Sequence, residues 1–492
     1  MLMRQYVRQT LLIHVLTILP FAFGRYKIGV GIADCTGPAA EIVFMGYAKS
    51  SQKGCGIHLR QFSRAFIVDD DVKRAAFVSV DAAMMAHGVV EAVLNRLSKV
   101  YNNTYTESNL VLSGTHTHGT PGGFLMDFMY DIPSYGFVKD TFEALVCGIT
   151  KSIMRAHENM VDGRIYLSSG ELLGANINRS PTSYLLNPEE ERAKYKYDVD
   201  KEMVQLKFLK SSDNSLIGAV NWFAVHPTSM NNTNCLITSD NVGYASLLLE
   251  KSINNNMPVG KVRDEVISQT QSHIINHTAN FVSHHSRRLS AATTNKLFYE
   301  KSSAQKSTHK TPFFQGPFVG AFASSNLGDV SPNTNGPRCV TTGEKCDSMT
   351  STCDGHAKYC IASGPGRDMF ESTKIIAEKL FDKAKMLLEK SSSKEMRGPI
   401  NYIHRFVDMP EESATITLSN GTVEQVHGCL PAMGYSFAAG TTDGPGEFDF
   451  AQGTRSTNTY WNTIRDFIFK PTAEDIACQY PKPILINTGR VD

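Results

Sequence analysis

Between residues 25 and 255 the chain alternates apolar runs of β type with stretches of helical period. Ala76 to Val80 reads as a strand. From Met84 to Val100 the apolar residues Val89, Val93, Leu94 and Leu97 recur at the three-to-four spacing that gathers them on one helix face, and Asn109 to Ser113 returns to strand character. Strand, helix and strand in that order predict an α/β fold, layered around a mixed β-sheet. Two further helices are expected at Phe142 to Asn159 and Ile375 to Lys390. The second carries Ile376, Leu380, Ala384 and Leu387 on one side, with Ser372 or Thr373 as its cap.

The pattern breaks from about Lys261 to Thr311, a stretch rich in Ser, Thr, Asn, Gln and His with few apolar runs. It reads as a solvated surface insertion, because so polar a segment buries too little to order itself. Eight Lys/Arg against three Asp/Glu give it a net charge of +5, which leaves −4 for the rest of a chain whose total is +1. With that near balance no electrostatic field favours nucleic acid. A content of 41% hydrophobic and 20% charged residues excludes wholesale disorder and a multi-span membrane protein. The 492 residues would hold roughly three average domains or one enlarged α/β domain.

Arg4 and Arg8 precede an apolar run from Leu11 to Phe23, closed by the small residues Ala22 and Gly24. This layout marks residues 1–24 as a signal peptide or signal anchor. The run is short of the ~20 residues that span a bilayer. Asn102, Asn231, Asn276 and Asn420 each begin an Asn-x-Thr acceptor for glycosylation, which agrees with a secretory route. Cys339, Cys346, Cys353 and Cys360 recur at an even sevenfold spacing that admits a disulfide knot or a zinc site. An oxidising compartment favours disulfides.

Three strand-like runs end in polar clusters. Asn109 to Ser113 leads into Gly114-Thr115-His116-Thr117-His118, Ile217 to Val225 into His226-Pro227, and Pro317 to Ser325 into the loop holding Asp329 and Ser331. Ligands in open α/β sheets bind beyond the carboxyl ends of strands. If the three strands run parallel in one sheet, His116, His118, His226, Asp329 and Ser331 arrive at one edge. An extended His-x-His places both imidazoles on one side, and a third histidine tips the set towards a metal. Imidazole nitrogens suit zinc, which keeps a position open for water in catalytic sites. Ser331 is a candidate nucleophile, although no G-x-S-x-G elbow surrounds it. Asp329 could orient an imidazole or accept a substrate hydroxyl. Arg179, in Asn178-Arg179-Ser180-Pro181, could hold an oxyanion. Asn178 is formally a glycosylation acceptor, expected to stay unused if Arg179 lines a cleft.

The chain resembles the neutral ceramidases. The resemblance rests on GVGIADCTGP (Gly29–Pro38), FMGYAKS (Phe44–Ser50), QFSRAFIV (Gln61–Val68), SGTHTH (Ser113–His118), NINRSP (Asn176–Pro181), WFAVHPTSMNN (Trp222–Asn232), SDNVGYAS (Ser239–Ser246), ASSNLGDVSPN (Ala323–Asn333) and GYSFAAGTTDG (Gly434–Gly444). It implies a secreted or surface amidohydrolase that splits ceramide, met at a membrane surface, into a sphingoid base and a fatty acid. It further implies zinc on His116 and His226, and His118 and Arg179 on the substrate. Ser331 is then the essential serine, with a zinc-bound water as the competing attacker, and Asp329 sets the geometry of their loop. Implied disulfides pair Cys339 with Cys353, Cys346 with Cys360 and Cys429 with Cys478, leaving Cys35, Cys55, Cys147 and Cys235 unassigned.

The resemblance departs at His118-Gly119-Thr120-Pro121, where the family more often has His-Ser-Gly-Pro. Family members also continue past Pro481–Gly489 into a region that supplies a Glu and a Tyr as further zinc ligands, then into an immunoglobulin-like domain. Residues 25–492 are therefore expected to be a C-terminally incomplete catalytic domain. The alternative expectation is a secreted fragment that binds lipid or a partner without turnover.

Overall fold

The computed structural model describes residues 26–254 and 317–490, apart from positions 419, 447 and 449. The expected signal segment at 1–24 and the insertion at about 261–311 lie outside the described residues.

Eight strands form the main sheet: β1 (Tyr26–Asp34), β2 (Phe62–Asp69), β3 (Arg74–Val80), β4 (Leu110–Gly114), β5 (Val161–Glu171), β6 (Glu202–Lys210), β7 (Leu216–Phe223) and β8 (Val319–Ser324). Their spatial order is β8-β7-β6-β5-β1-β2-β3-β4. β9 (Lys394–Met396) pairs with β5 just beyond the residues that β1 occupies. The pairs β3/β4 and β7/β8 are parallel and the others antiparallel, so the sheet is mixed, as expected.

The sheet curls until its two ends meet. Ser79 of β3 donates to the Phe322 carbonyl of β8 at 3.1 Å, and Ser324, closing β8, donates to the Thr115 carbonyl just past β4 at 3.0 Å. Alternation along each strand then sorts side chains into two cores. Ile28, Val30, Phe66, Phe208, Val220 and Val319 fill the inside of the curl, where the Phe66 and Phe208 rings stack at 5.6 Å. Ala65, Ile67, Val78 and Val80 point outwards to α1 (His87–Tyr101) and α2 (Lys139–Glu158). On the opposite outer face α3 (Asp240–Ile253) and α4 (Met369–Glu389) cover β6, β7 and β8.

Close approach explains two glycines. A Cβ on Gly29 would lie 1.9 Å from the Ala156 carbonyl oxygen, and one on Gly31 2.2 Å from that of Ser152, because α2 lies against β1 at backbone distance. The core also holds an ionic bridge. Arg64 of β2, 1% exposed, reaches Asp81 beyond β3 and Glu250 on α3, each at 2.9 Å.

Helix α4 begins earlier than its apolar period predicts, and its cap is Asp368 rather than Ser372 or Thr373. The Asp368 carboxylate accepts from the Glu371 backbone N–H at 2.8 Å. Ser372 and Thr373 sit inside the first turns and donate back to the carbonyls of Asp368 and Met369. Their hydroxyls therefore serve the helix interior, whereas the orphan N–H groups at its start are met by Asp368. Asp368→Ala is expected to cost about 1 kcal/mol, read as a lower denaturant midpoint at unchanged m-value.

Four disulfides are present: Cys339–Cys353, Cys346–Cys360, Cys429–Cys478 and Cys55–Cys235. The last joins two cysteines left unassigned by sequence, while Cys35 and Cys147 are free thiols. The sevenfold cysteines are thus a knot and not a metal site. Among the described residues no helix is long and apolar enough to cross a membrane.

Candidate active site

The carboxyl ends of β4, β7 and β8 converge where the sheet closes on itself. Past β4 the chain does not stay extended: His116 has φ = 70°, a left-handed conformation uncommon outside glycine. Strand alternation therefore does not bring the two histidines together. The turn does, sending Thr117 inwards to donate to the Thr238 carbonyl at 2.7 Å. The His116 and His118 rings meet edge-on with centroids 4.8 Å apart, and His226, arriving from β7, lies 4.8 Å from His116 and 5.3 Å from His118.

The second ring nitrogens distinguish these histidines. His116 Nδ1 lies 2.6 Å from the Ala83 carbonyl oxygen and His226 Nδ1 lies 2.7 Å from that of Leu327. A carbonyl only accepts, so Nδ1 carries the proton in both rings and Nε2 presents a lone pair. Among the described residues His226 Nε2 and both His118 ring nitrogens are buried without a hydrogen-bond partner. Burial holds all three imidazoles below their ordinary pKa, and the Arg179 charge adds to the effect. Burial thus favours the neutral form, the form that binds a metal. Each of the three offers a donor atom within 4.8 Å of the others. Three neutral imidazole donors gathered in this way could hold a divalent metal ion. Metal-binding histidines almost always hold an outer hydrogen bond on the second nitrogen; His116 and His226 have one, and His118 has none.

The Asp329–Ser331 loop is fastened on two sides. Leu327 receives His226 Nδ1, while the Asp329 carbonyl accepts from Arg179 N at 2.8 Å and that of Gly328 from Arg179 Nε at 3.1 Å. Val330–Ser331 pairs with Ile177–Asn178. The groups on the imidazole Nδ1 atoms are thus main-chain carbonyls rather than the Asp329 carboxylate, whose pKa is raised by burial. Burial also lowers the Arg179 pKa, against the opposing pull of Asp443. Asn178 is buried and donates to the Asp198 carbonyl at 3.2 Å, which leaves its side chain no room for a glycan.

Sequence reading missed the partner of Ser331. Its hydroxyl donates to Asp443 Oδ1 at 2.5 Å and accepts from Asn333 N at 2.9 Å. Asn333 Nδ2 donates to the same carboxylate oxygen at 2.8 Å, and Thr228 Oγ1 donates to Oδ2 at 3.2 Å. Asp443 occupies the two-residue tip of a hairpin, Gly440–Thr441 against Gly444–Pro445, and burial raises its pKa. A hairpin tip ordinarily faces water. Here it is driven inwards: the Thr442 carbonyl accepts from Ala362 N at 2.8 Å, so the knot buttresses the tip.

Two more residues frame the centre. Tyr47 sets its ring edge-on to His118 at 4.4 Å and donates to the Met230 carbonyl at 3.1 Å. Asp240 accepts from the Ser229 and Met230 N–H groups, holding the loop after His226, and burial pushes its pKa up to about 6.

Fold and site together define a layered α/β protein with a centre lined by three histidines. Comparison with known proteins gives the family. Residues 26–492 match the family described as neutral/alkaline non-lysosomal ceramidase, N-terminal, and the chain belongs to that family. It is 51% identical over 476 residues to the neutral ceramidase of Drosophila pseudoobscura pseudoobscura, with 95% of this chain and 60% of that protein covered. The Drosophila melanogaster neutral ceramidase is 50% identical, with 94% and 59% covered. Among solved structures, a ceramidase complexed with C2 superposes with a TM-score of 0.68 at 32% identity, covering 95% of this chain and 59% of that one. The neutral ceramidase of Pseudomonas aeruginosa gives 0.65 at 30% identity, with 95% and 58% covered. The chain spans about 60% of the length of these relatives.

Proposed function

We propose that this chain forms the centre of a zinc-dependent amidohydrolase that cleaves the N-acyl bond of ceramide, releasing a sphingoid base and a free fatty acid. The observation that carries the reading is the pair His116 and His226, each fixed by a carbonyl on Nδ1 with Nε2 left as the lone-pair nitrogen. These two would hold the zinc, which supplies Lewis-acid polarisation of the amide carbonyl. His118, whose ring nitrogens have no partner among the described residues, engages the substrate amide by hydrogen bonding. Arg179 places a desolvated cation beside the developing oxyanion. Ser331 attacks the carbonyl carbon, and Asp329 ties its loop to Arg179 through the backbone. Four disulfides suit an oxidising compartment, so the reading includes the secretory route, ending in secretion or at the outer membrane face where ceramide is met.

The test measures zinc content and ceramide hydrolysis of the chain beside Ser331→Ala. Wild type is expected to hold one zinc and turn over ceramide, with an acyl adduct trapped on Ser331. The alanine variant should keep its zinc and lose about a thousandfold or more in kcat. Zinc and hydrolysis both missing from wild type would sink the proposal. Full turnover by the alanine variant would make water the attacker. A metal-free, inactive chain that still binds ceramide would establish the second reading, a lipid-binding relative without turnover.

A further inference from the structure

The amidohydrolase reading leaves one question at the nucleophile, namely where its proton goes. In serine hydrolases of triad type an imidazole takes it. Here the partners of Ser331 Oγ are Asp443 Oδ1 and the Asn333 N–H, and neither is an imidazole. His116 and His226 have committed their Nδ1 atoms to carbonyls. The hydroxyl hydrogen therefore points at a carboxylate 2.5 Å away, one oxygen lone pair receives Asn333, and one lone pair remains for a carbonyl carbon.

Asp443 is built for more than holding a turn. It is 3% exposed at the tip of a hairpin, both of its oxygens are engaged by donors, and no cation forms a salt bridge with it among the described residues. A buried carboxylate without a paired cation is costly unless hydrogen bonds compensate it. Ser331, Asn333 and Thr228 do so.

Resting on the reading of Ser331 as nucleophile, we propose that Asp443 is its catalytic base. As Ser331 Oγ bonds to the amide carbon, its proton passes to Asp443 Oδ1. When the carbon–nitrogen bond breaks, that proton leaves on the amine, and the acyl group stays on Ser331. Water then bonds to the acyl carbon and gives a proton to Asp443, which returns it to Oγ as the ester bond breaks and the fatty acid departs. Each half-reaction restores the carboxylate, so no further reactant is needed.

The experiment uses the full chain as wild type, Asp443→Asn, Ser331→Ala and the double variant. Readouts are zinc content, kcat and KM on ceramide, and the rate at which an alkyl fluorophosphonate labels Ser331. Asparagine preserves the shape and still accepts from Ser331, but it takes no proton. Asp443→Asn is expected to keep its zinc and its KM within about threefold while kcat and labelling rate fall together by about 10²–10⁴. The double variant should be no slower than Ser331→Ala alone, as for residues acting as a unit. Labelling or kcat within about threefold of wild type in Asp443→Asn overturns the proposal and leaves the ceramidase reading standing. A wild type that does not split ceramide but is labelled at Ser331, at a rate that falls in Asp443→Asn, keeps the base and removes the substrate. If the asparagine variant does not fold, Asp443→Ala with added formate replaces it. Recovery of the labelling rate supports the base, and no recovery in a folded variant counts against it.

Discussion

Replacing His226 by alanine is expected to empty the centre of zinc and lower kcat/KM by about a thousandfold or more. The substitution removes one of the nitrogen donors proposed for the zinc. Altering only the outer partner of a ligand already costs 10- to 100-fold in affinity, so loss of the ligand itself should exceed about 100-fold. Removing several kcal/mol of Lewis-acid stabilisation corresponds to about three decades in rate. The substitution also frees the Leu327 carbonyl, which holds the loop leading to Ser331. Elemental analysis after dialysis, beside kcat/KM, reads both effects. Stoichiometric zinc in His226→Ala would remove it from the ligand set. His118→Ala is the contrast, expected to keep zinc while losing turnover, because His118 lacks the outer hydrogen bond that its two neighbours have.

Arg64→Ala should be among the most destabilising single changes in the protein, at about 3–5 kcal/mol. Its guanidinium is enclosed between β2, β3 and α3, with Asp81 and Glu250 at 2.9 Å on two sides. Alanine would leave two buried carboxylates without their cation, held by the backbone N–H groups of Phe62 and Gly320. The cost comes from those stranded charges rather than from the attraction lost. Replacing all three, as Arg64→Met, Asp81→Leu and Glu250→Leu, is therefore expected to recover most of the stability. Chemical denaturation of the two variants beside wild type measures this. A loss below about 1 kcal/mol in Arg64→Ala would mean that water or a side-chain shift relieves the pair.

Much of this architecture is written in local pattern. The apolar period of Val89, Val93 and Leu97 places α1, and the clusters after three strands place the histidines and Ser331. The features that escape are those decided by distance along the chain. Period two tells which side chains share a face, not that the sheet curls until Ser324 meets Thr115. Cys55 and Cys235 are separated by 180 residues, and no spacing rule joins them. Asp443 sits in a hairpin tip that reads as surface because its burial comes from elements remote in sequence. Helix α4 starts ahead of its apolar period for a local reason: its first turns carry Ser372 and Thr373, buried but polar, and apolar periodicity does not register them.

The curl has a consequence for biosynthesis. His116 follows one edge strand and His226 follows a strand beside the other edge, while Asp443 belongs to a later hairpin altogether. At a synthesis rate of ~5–20 residues per second, roughly 15 to 65 seconds separate the arrival of His116 from that of Asp443. For the first third of that interval the growing chain has a His-x-His pair but no opposing histidine, and from Ser331 onwards it has a serine but no carboxylate beside it. The order in which its parts are made keeps the histidine cluster and the Ser331–Asp443 pair apart until the hairpin is complete.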